Sequence, residues 1–257
     1  MRSAVLPVLT FGLFAMLVAD RLSHALASGA DPVTEVQDGV ATVETEGSSA
    51  TIAAESQRSG ARLARIALRQ QIGRESGRTY LDSLMATTDS VVRRWPDRGG
   101  RPLKVTLSES GPSGYHPRMG RIFLDALFRW ENTGVGVRFD IVSDTSDAEI
   151  VVHWIDRFDF DRAGQTDLTW DHAGRVRKAA ISLAIRTTRG FSLPDDALVS
   201  VAVHEIGHAL GLPHSADSND VMYPATRTGV ISERDRRTAQ VLYQLQPGPV
   251  RDPRESP

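Results

Sequence analysis

Three histidines and a glutamate stand close together in the segment His204-Glu205-Ile206-Gly207-His208-Ala209-Leu210-Gly211-Leu212-Pro213-His214. Residues four apart on a helix share one face about one turn apart, so the imidazoles of His204 and His208 can converge on a single ion. A third donor needs the helix to stop and the chain to turn back. Gly211 stands where a left-handed C-terminal cap would meet no Cβ clash, and His214 follows it. Three neutral imidazoles leave the fourth tetrahedral position of Zn²⁺ open to water, the catalytic rather than the structural arrangement of that metal. Glu205 follows a ligand directly, projects beside the metal, and can take the proton of that water as it attacks a carbonyl. A bare H-E-x-x-H arises by chance on exposed helix faces. The added glycine and third histidine, on a helix with an apolar face, argue against chance.

The elements that must hold these groups are legible around them. Ser192-Leu193-Pro194-Asp195 reads as a capping box with proline in the first turn, and Ala197 to Leu210 is a helical run ended by Gly211. Ser232 with Asp235 caps a final helix to about Leu245, and the Pro-rich residues 247–257 read as a frayed, disordered tail. Upstream, Leu103 to Leu107 alternates as a strand, and Pro117 to Trp130 is amphipathic at helical spacing. Val137 to Val142 and Ala148 to Trp154 read as further strands. Thr166 to Trp170 and Ala179 to Ile185 complete about five, the last two a hairpin turned by Asp171-His172-Ala173-Gly174. Pro96 to Pro102 marks the start of this α/β domain, which spans 95–246. Residues 61–94 read as two helices broken near Gly73 and Gly77, a pro-segment or stalk. Residues 28–60 have few large apolar side chains and read as a disordered linker.

The rest of the composition mainly excludes. With no cysteine in 257 residues there is neither a disulfide framework nor a thiolate metal site. A net charge of -2 spread over both signs offers no basic footprint for nucleic acid. Arg2, the apolar run Ala4 to Ala19 and Ala25-Leu26-Ala27 form an export signal with an A-x-A cleavage pattern over 1–27. The same run, uncleaved, would be a signal anchor and the one route to a membrane. The expected location is secreted, periplasmic or extracellular, or anchored facing outside, with a monomer as the default state.

HEIGHALGLPH followed by Val221-Met222-Tyr223-Pro224 resembles the metzincin metalloproteases, and among them is most similar to the matrixins. Ser215 follows the third histidine, and Met222 falls eight residues after His214, where the Met-turn of that family lies beneath the metal. Tyr223 follows the methionine directly and Pro224 comes next. Ile231-Ser232 through Asp235, Gln240 and Leu242-Tyr243 are similar to the family's closing helix. The resemblance implies a twisted five-stranded mixed sheet with one antiparallel edge strand, three helices, and zinc at the floor of a cleft. A peptide substrate would bind extended along the edge strand, placed at Thr166, Asp167, Leu168, Thr169 and Trp170. It implies a zinc-dependent metalloendopeptidase, with His204, His208 and His214 on the metal, Glu205 as base, and Gly211, Met222 and Pro224 supporting the site. The family's cysteine latch has no counterpart here. Thr169 and Ser182 stand where ligands of a structural zinc are expected, so that second zinc is not expected, and Thr226 replaces a pocket-wall tyrosine.

Asp156, Asp159, Asp161, Asp167 and Asp171 offer oxygen donors for Ca²⁺, although exposed acidic loops are common and no EF-hand spacing is present. Met222 and His153 have bland readings as core methionine and strand residue. The competing function is a zinc-binding, non-catalytic interaction domain on the same fold. Glu205 argues against it, since a purely structural zinc has no use for a free carboxylate beside an open position.

Overall fold

The computed structural model describes residues 46–86 and 90–251. The signal or anchor expected at 1–27, the linker as far as residue 45 and the tail from 252 onward lie outside these residues. Helix α1 (Glu46–Arg74), the single turn α2 (Ser83–Ala86) and strand β1 (Val91–Val92) come first. They are followed by β2 (Leu103–Leu107), α3 (Pro117–Glu131), β3 (Phe139–Ile141), β4 (Ile150–Ile155), β5 (Gly164–Trp170), β6 (Val176–Ala184), α4 (Asp195–Ala209), α5 (Glu233–Gln244) and β7 (Gly248–Pro249).

Five strands form one mixed sheet in the order β3-β2-β4-β6-β5. All neighbours are parallel except β5, which runs antiparallel to β6 and lies at the edge, as the sequence led one to expect. Central β4 buries Ile150, Val152 and Trp154 on one face, while on the other Val151 is buried and His153 is exposed. The β5–β6 turn is held by Asp171, whose Oδ1 accepts from the amides of Ala173 and Arg175, with Gly174 at φ 74°. Burial of this carboxyl works to raise its pKa. Hydrogen bonds from the Arg175 amide, the Arg177 and Arg175 guanidinium groups and the Ala173 amide outweigh that and hold it well below the usual range. The expected strand 137–142 shortens to Phe139–Ile141 because Gly136, at φ 81°, turns the chain just before it.

In α3 the side chain of His116 caps the first turn by accepting from the Arg118 amide, and Pro117 supplies a pre-set φ. Met119, Phe123, Ala126, Leu127 and Trp130 bury one face, and Trp130 Nε1 donates to the Val203 carbonyl at 2.8 Å, fastening α3 to α4. The capping box expected at Ser192 does not form. Ser192 instead bridges to Arg186 and the Leu193 amide donates to Ile185, so α4 begins at Asp195 with Pro194 as its N-cap. The box at Ser232 and Asp235 forms with both of its hydrogen bonds.

The chain before Trp95 departs further from expectation. One helix, α1, runs from Glu46 through Gly73 to Arg74, so residues 46–60 are helical and not linker. Their alanines and glutamates, with Gln57 and Arg58, are strong helix formers, and extending a helix already anchored downstream adds a hydrogen bond per residue without a new nucleus. The anchor is real: Leu68, Ile72, Tyr80, Leu81 and Leu84 are buried in the same core as Val241, Leu242 and Leu245. The expected tail departs as well. Gly248–Pro249 pairs with Val91–Val92, and Val250 is fully buried.

Candidate metal centre

Helix α4 carries the chemistry on its last turns. It is acidic in its first turn, where Asp195 and Asp196 face the unpaired amides, and it buries Leu198, Ala202, Val203, Ile206 and Ala209. Its end is a Schellman turn: the Leu212 amide donates to Gly207 at 3.0 Å and the Gly211 amide to His208 at 2.8 Å. Gly211 sits at φ 98°, and a Cβ there would overlap the Arg93 carbonyl oxygen. Both facts demand glycine, and the resulting reversal returns His214 to the helix face that bears His204 and His208.

The Nε2 of His208 lies 3.1 Å from the Nε2 of His204 and 3.1 Å from that of His214. Among the described residues these three form the one group of three or more side-chain donors close enough to share an ion. His204 Nδ1 meets the Val221 carbonyl at 2.7 Å and His208 Nδ1 meets that of Leu212 at 2.9 Å. A carbonyl only accepts, so both Nδ1 atoms carry the proton and both Nε2 atoms present bare lone pairs. Lone pairs facing each other at this distance have no proton to share. Donors at about 2.0–2.1 Å around a tetrahedral zinc stand roughly 3.3 Å apart, so the set fits that ion.

All three rings are held neutral. Loss of water lowers the His204 pKa below its ordinary value, against the raising effect of the Val221 carbonyl. Loss of water, then the neighbouring rings, takes His208 well below. The same causes, with His204 as the neighbour, bring His214 down to about 4. Neutral imidazole is the form a metal requires.

Glu205 faces edge strand β5. Burial pushes its carboxyl up to about 7, against the lowering effects of the Thr166 hydroxyl and Arg162. Thr166 Oγ1 lies 2.6 Å from Glu205 Oε2 and 3.0 Å from the Glu205 carbonyl. Gly164 lets the strand come this close, because a Cβ there would stand 2.5 Å from Glu205 Oε1. Of the other edge-strand residues, Asp167 accepts from Gln165, Leu168 packs against the core and Thr169 is exposed. Trp170 carries the Arg93 guanidinium 4.0 Å from its ring centroid.

Met222 is fully buried beneath α4, directly under Gly207, where a Cβ would overlap its sulfur. The turn that carries it is fixed by Asp235, whose Oδ2 accepts from the Val221 amide at 2.8 Å, and by the Ser215 amide, which donates to the Met222 carbonyl at 2.9 Å. Pro224 follows, half-buried, in the same turn. The aspartates considered for calcium have other partners in part: Asp156 pairs with Arg186, and Asp171 with Arg175 and Arg177.

Gly164, Gly207 and the Thr166 hydroxyl were not singled out by sequence reasoning as parts of the site. A glycine inside a helix costs about 1 kcal/mol against alanine, so Gly207 within α4 carried a readable signal of close packing. Gly164 and Thr166 gave none, because their significance depends on which strand packs on which helix.

Residues 95–244 match the matrixin family. The chain is 36% identical over 85 residues to metalloendoproteinase 1 of Glycine max, covering 32% of this chain and 24% of that one. It is 29% identical over 168 residues to matrix metalloproteinase-2 of Drosophila melanogaster, covering 59% and 22%, and 43% identical over 63 residues to matrilysin of Homo sapiens, covering 23% of each. The chain therefore spans about a quarter of the length of these curated relatives. Since the family match takes in more than half of this chain and includes the three histidines, Glu205 and Met222, the chain belongs to the matrixin family of metzincins.

Proposed function

We propose that this protein is a zinc-dependent metalloendopeptidase in which His204, His208 and His214 hold the metal and Glu205 is the general base. The observation that carries it is the convergence of three imidazole Nε2 atoms on one point, with a buried carboxylate on the adjacent residue. When bound, zinc supplies Lewis-acid polarisation of the scissile carbonyl and lowers the pKa of a water toward about 7. With a divalent cation held by His204, His208 and His214, the rise that burial imposes on the Glu205 carboxyl would be opposed, and Glu205 would act as an ionised base. Thr166 occupies Oε2, leaving Oε1 to take the proton of the attacking water and pass it to the leaving amine nitrogen.

A peptide substrate lies extended against the free edge of β5, adding main-chain hydrogen bonds to the sheet. Met222 and Gly211 support the histidines from beneath and behind, and Pro224 shapes the turn that follows. Export is supported by the apolar run and the A-x-A pattern of residues 1–27, with secretion or outward-facing anchoring as the two forms it takes. Among the described residues no helix is long and apolar enough to cross a membrane. The non-catalytic alternative is disfavoured by the same buried Glu205, whose desolvation a binding domain would have no reason to bear.

The direct test is elemental analysis of the full chain, with cleavage of a peptide library before and after chelation. One zinc per chain with chelator-sensitive cleavage is expected. One zinc without cleavage of any peptide would favour the binding domain, and absence of zinc would overturn the metal assignment.

A further inference from the structure

Tyr80, in the segment preceding the family match, reaches the carboxylate that holds the turn of Val221 and Met222. Tyr80, 2% exposed, places its hydroxyl 2.9 Å from Oδ1 of Asp235, which is fully buried. The same carboxylate accepts from the Val221 amide at 2.8 Å, the Met222 amide at 3.4 Å and its own N-cap amide, Ser232, at 2.9 Å. The Val221 carbonyl in turn accepts from His204 Nδ1 at 2.7 Å. An unbroken chain of hydrogen bonds thus runs from Tyr80 through Asp235 and one peptide turn to the imidazole of His204. On Oδ1 the tyrosine makes the good bond, since the other, from Met222, is long.

We propose that Tyr80 is a positioning residue for the histidine cluster, fixing the Asp235 carboxylate that sets the Val221 carbonyl and through it the ring of His204. The proposal rests on the assignment of His204 as a metal ligand. Its physical basis is that a buried carboxylate with one oxygen under-satisfied rotates or recruits water, and either shift displaces the amides bonded to it. Burial and the neighbouring Asp235 raise the tyrosine pKa, so its hydroxyl stays a donor at every working pH. The backbone of Tyr80 is fastened as well, its amide donating to Thr238 Oγ1 at 3.4 Å, so the side chain is held at both ends.

The test compares Tyr80→Phe with Glu75→Gln in the full chain. Glu75 secures the same segment to α5 through Arg237 at 2.6 Å. Two readouts are taken: zinc affinity by competition with a chelating dye, and the imidazole Nδ1–H resonance of His204 in metal-free protein labelled with ¹⁵N-histidine. Tyr80→Phe is expected to weaken zinc binding about tenfold, the low end for removing an outer partner of a metal ligand, and to move the His204 resonance. Glu75→Gln is expected to leave both unchanged. Unaltered affinity and resonance in Tyr80→Phe would overturn the proposal, as would equal changes in the two variants, which would reduce Tyr80 to general support. A wild-type chain that binds no zinc would remove the metal assignment, and the metal-free resonance would still decide whether Tyr80 sets His204.

Discussion

At the scale of single residues, the proposed mechanism divides the site into groups that react and groups that hold them. Glu205→Gln keeps the shape and removes the proposed base, so zinc content is expected to stay at the wild-type level while peptide hydrolysis falls by about 10²–10⁴. A variant with full turnover would remove Glu205 from the mechanism. Thr166→Val removes the hydroxyl at 2.6 Å from Oε2 and leaves the strand intact. A hydrogen bond to a charged group contributes about 1.5–3 kcal/mol, which sets a ceiling of roughly 10- to 100-fold on the expected fall in kcat, with KM and zinc content unchanged and Thr166→Ser restoring the rate. If kcat is unmoved, Thr166 serves only the strand. The proposed ligands and base could be read from local sequence, His204 and His208 from i, i+4 geometry and His214 from the glycine that ends the helix, because those relations are local. Thr166 was legible only as a strand residue, because its partner lies 39 positions away in sequence.

At the scale of elements, the quality of each boundary decides whether the site assembles. Gly211→Ala puts a Cβ into both a left-handed backbone, at about 1–2 kcal/mol, and the Arg93 carbonyl. Lower thermal stability together with weaker zinc binding is expected by calorimetry and dye competition; stability lost without any change in zinc binding would detach this turn from the site. The contact of α5 with the turn after α1 carries a pH dependence. The hydrogen bond from Arg237 holds the Glu75 carboxyl below its ordinary 4.5. The unfolded chain therefore binds more protons than the folded one near that pH. The pair stabilises fully above about 4.5, and its contribution is lost as pH falls through and below that value. Acid titration of the melting temperature should show a steeper fall in wild type than in Glu75→Gln, and identical profiles would count against the pair. Periodicity found every strand of the main sheet and its three helices, since each buries a face. It misplaced the start of α4, where Ser192 is drawn into a bridge; the break it read near Gly73 falls at the end of α1, but the second helix it read from Tyr80 to Val92 is only the turn Ser83–Ala86 followed by strand Val91–Val92.

At the scale of the whole molecule, the boundary drawn at Trp95 from composition cuts through a continuous core. Leu68, Ile72, Tyr80, Leu81 and Leu84 each contribute about 1.5–3 kcal/mol by burial, comparable in sum to the net stability of a typical domain. A chain starting at Trp95 is expected to lose cooperative unfolding and bind the apolar dye ANS. A sharp calorimetric transition close to that of the full chain would show that the segment is dispensable. Composition missed this because α1 is largely polar on its outer face, and only the long-range contacts of its last turns reveal where it belongs. The pairing of Val91–Val92 with Gly248–Pro249 has a temporal consequence. During synthesis the early strand must wait, unpartnered, until residues 248–249 have emerged, so this seam closes after the contacts within 95–245 can form. Its neighbours Arg93 and Arg94 lie against Gly211 and the Leu245 carbonyl. The frame behind Gly211 is thus completed only once Gly248–Pro249 has paired with Val91–Val92, and a nascent chain that stops short of residue 248 carries His204, His208 and His214 without that frame.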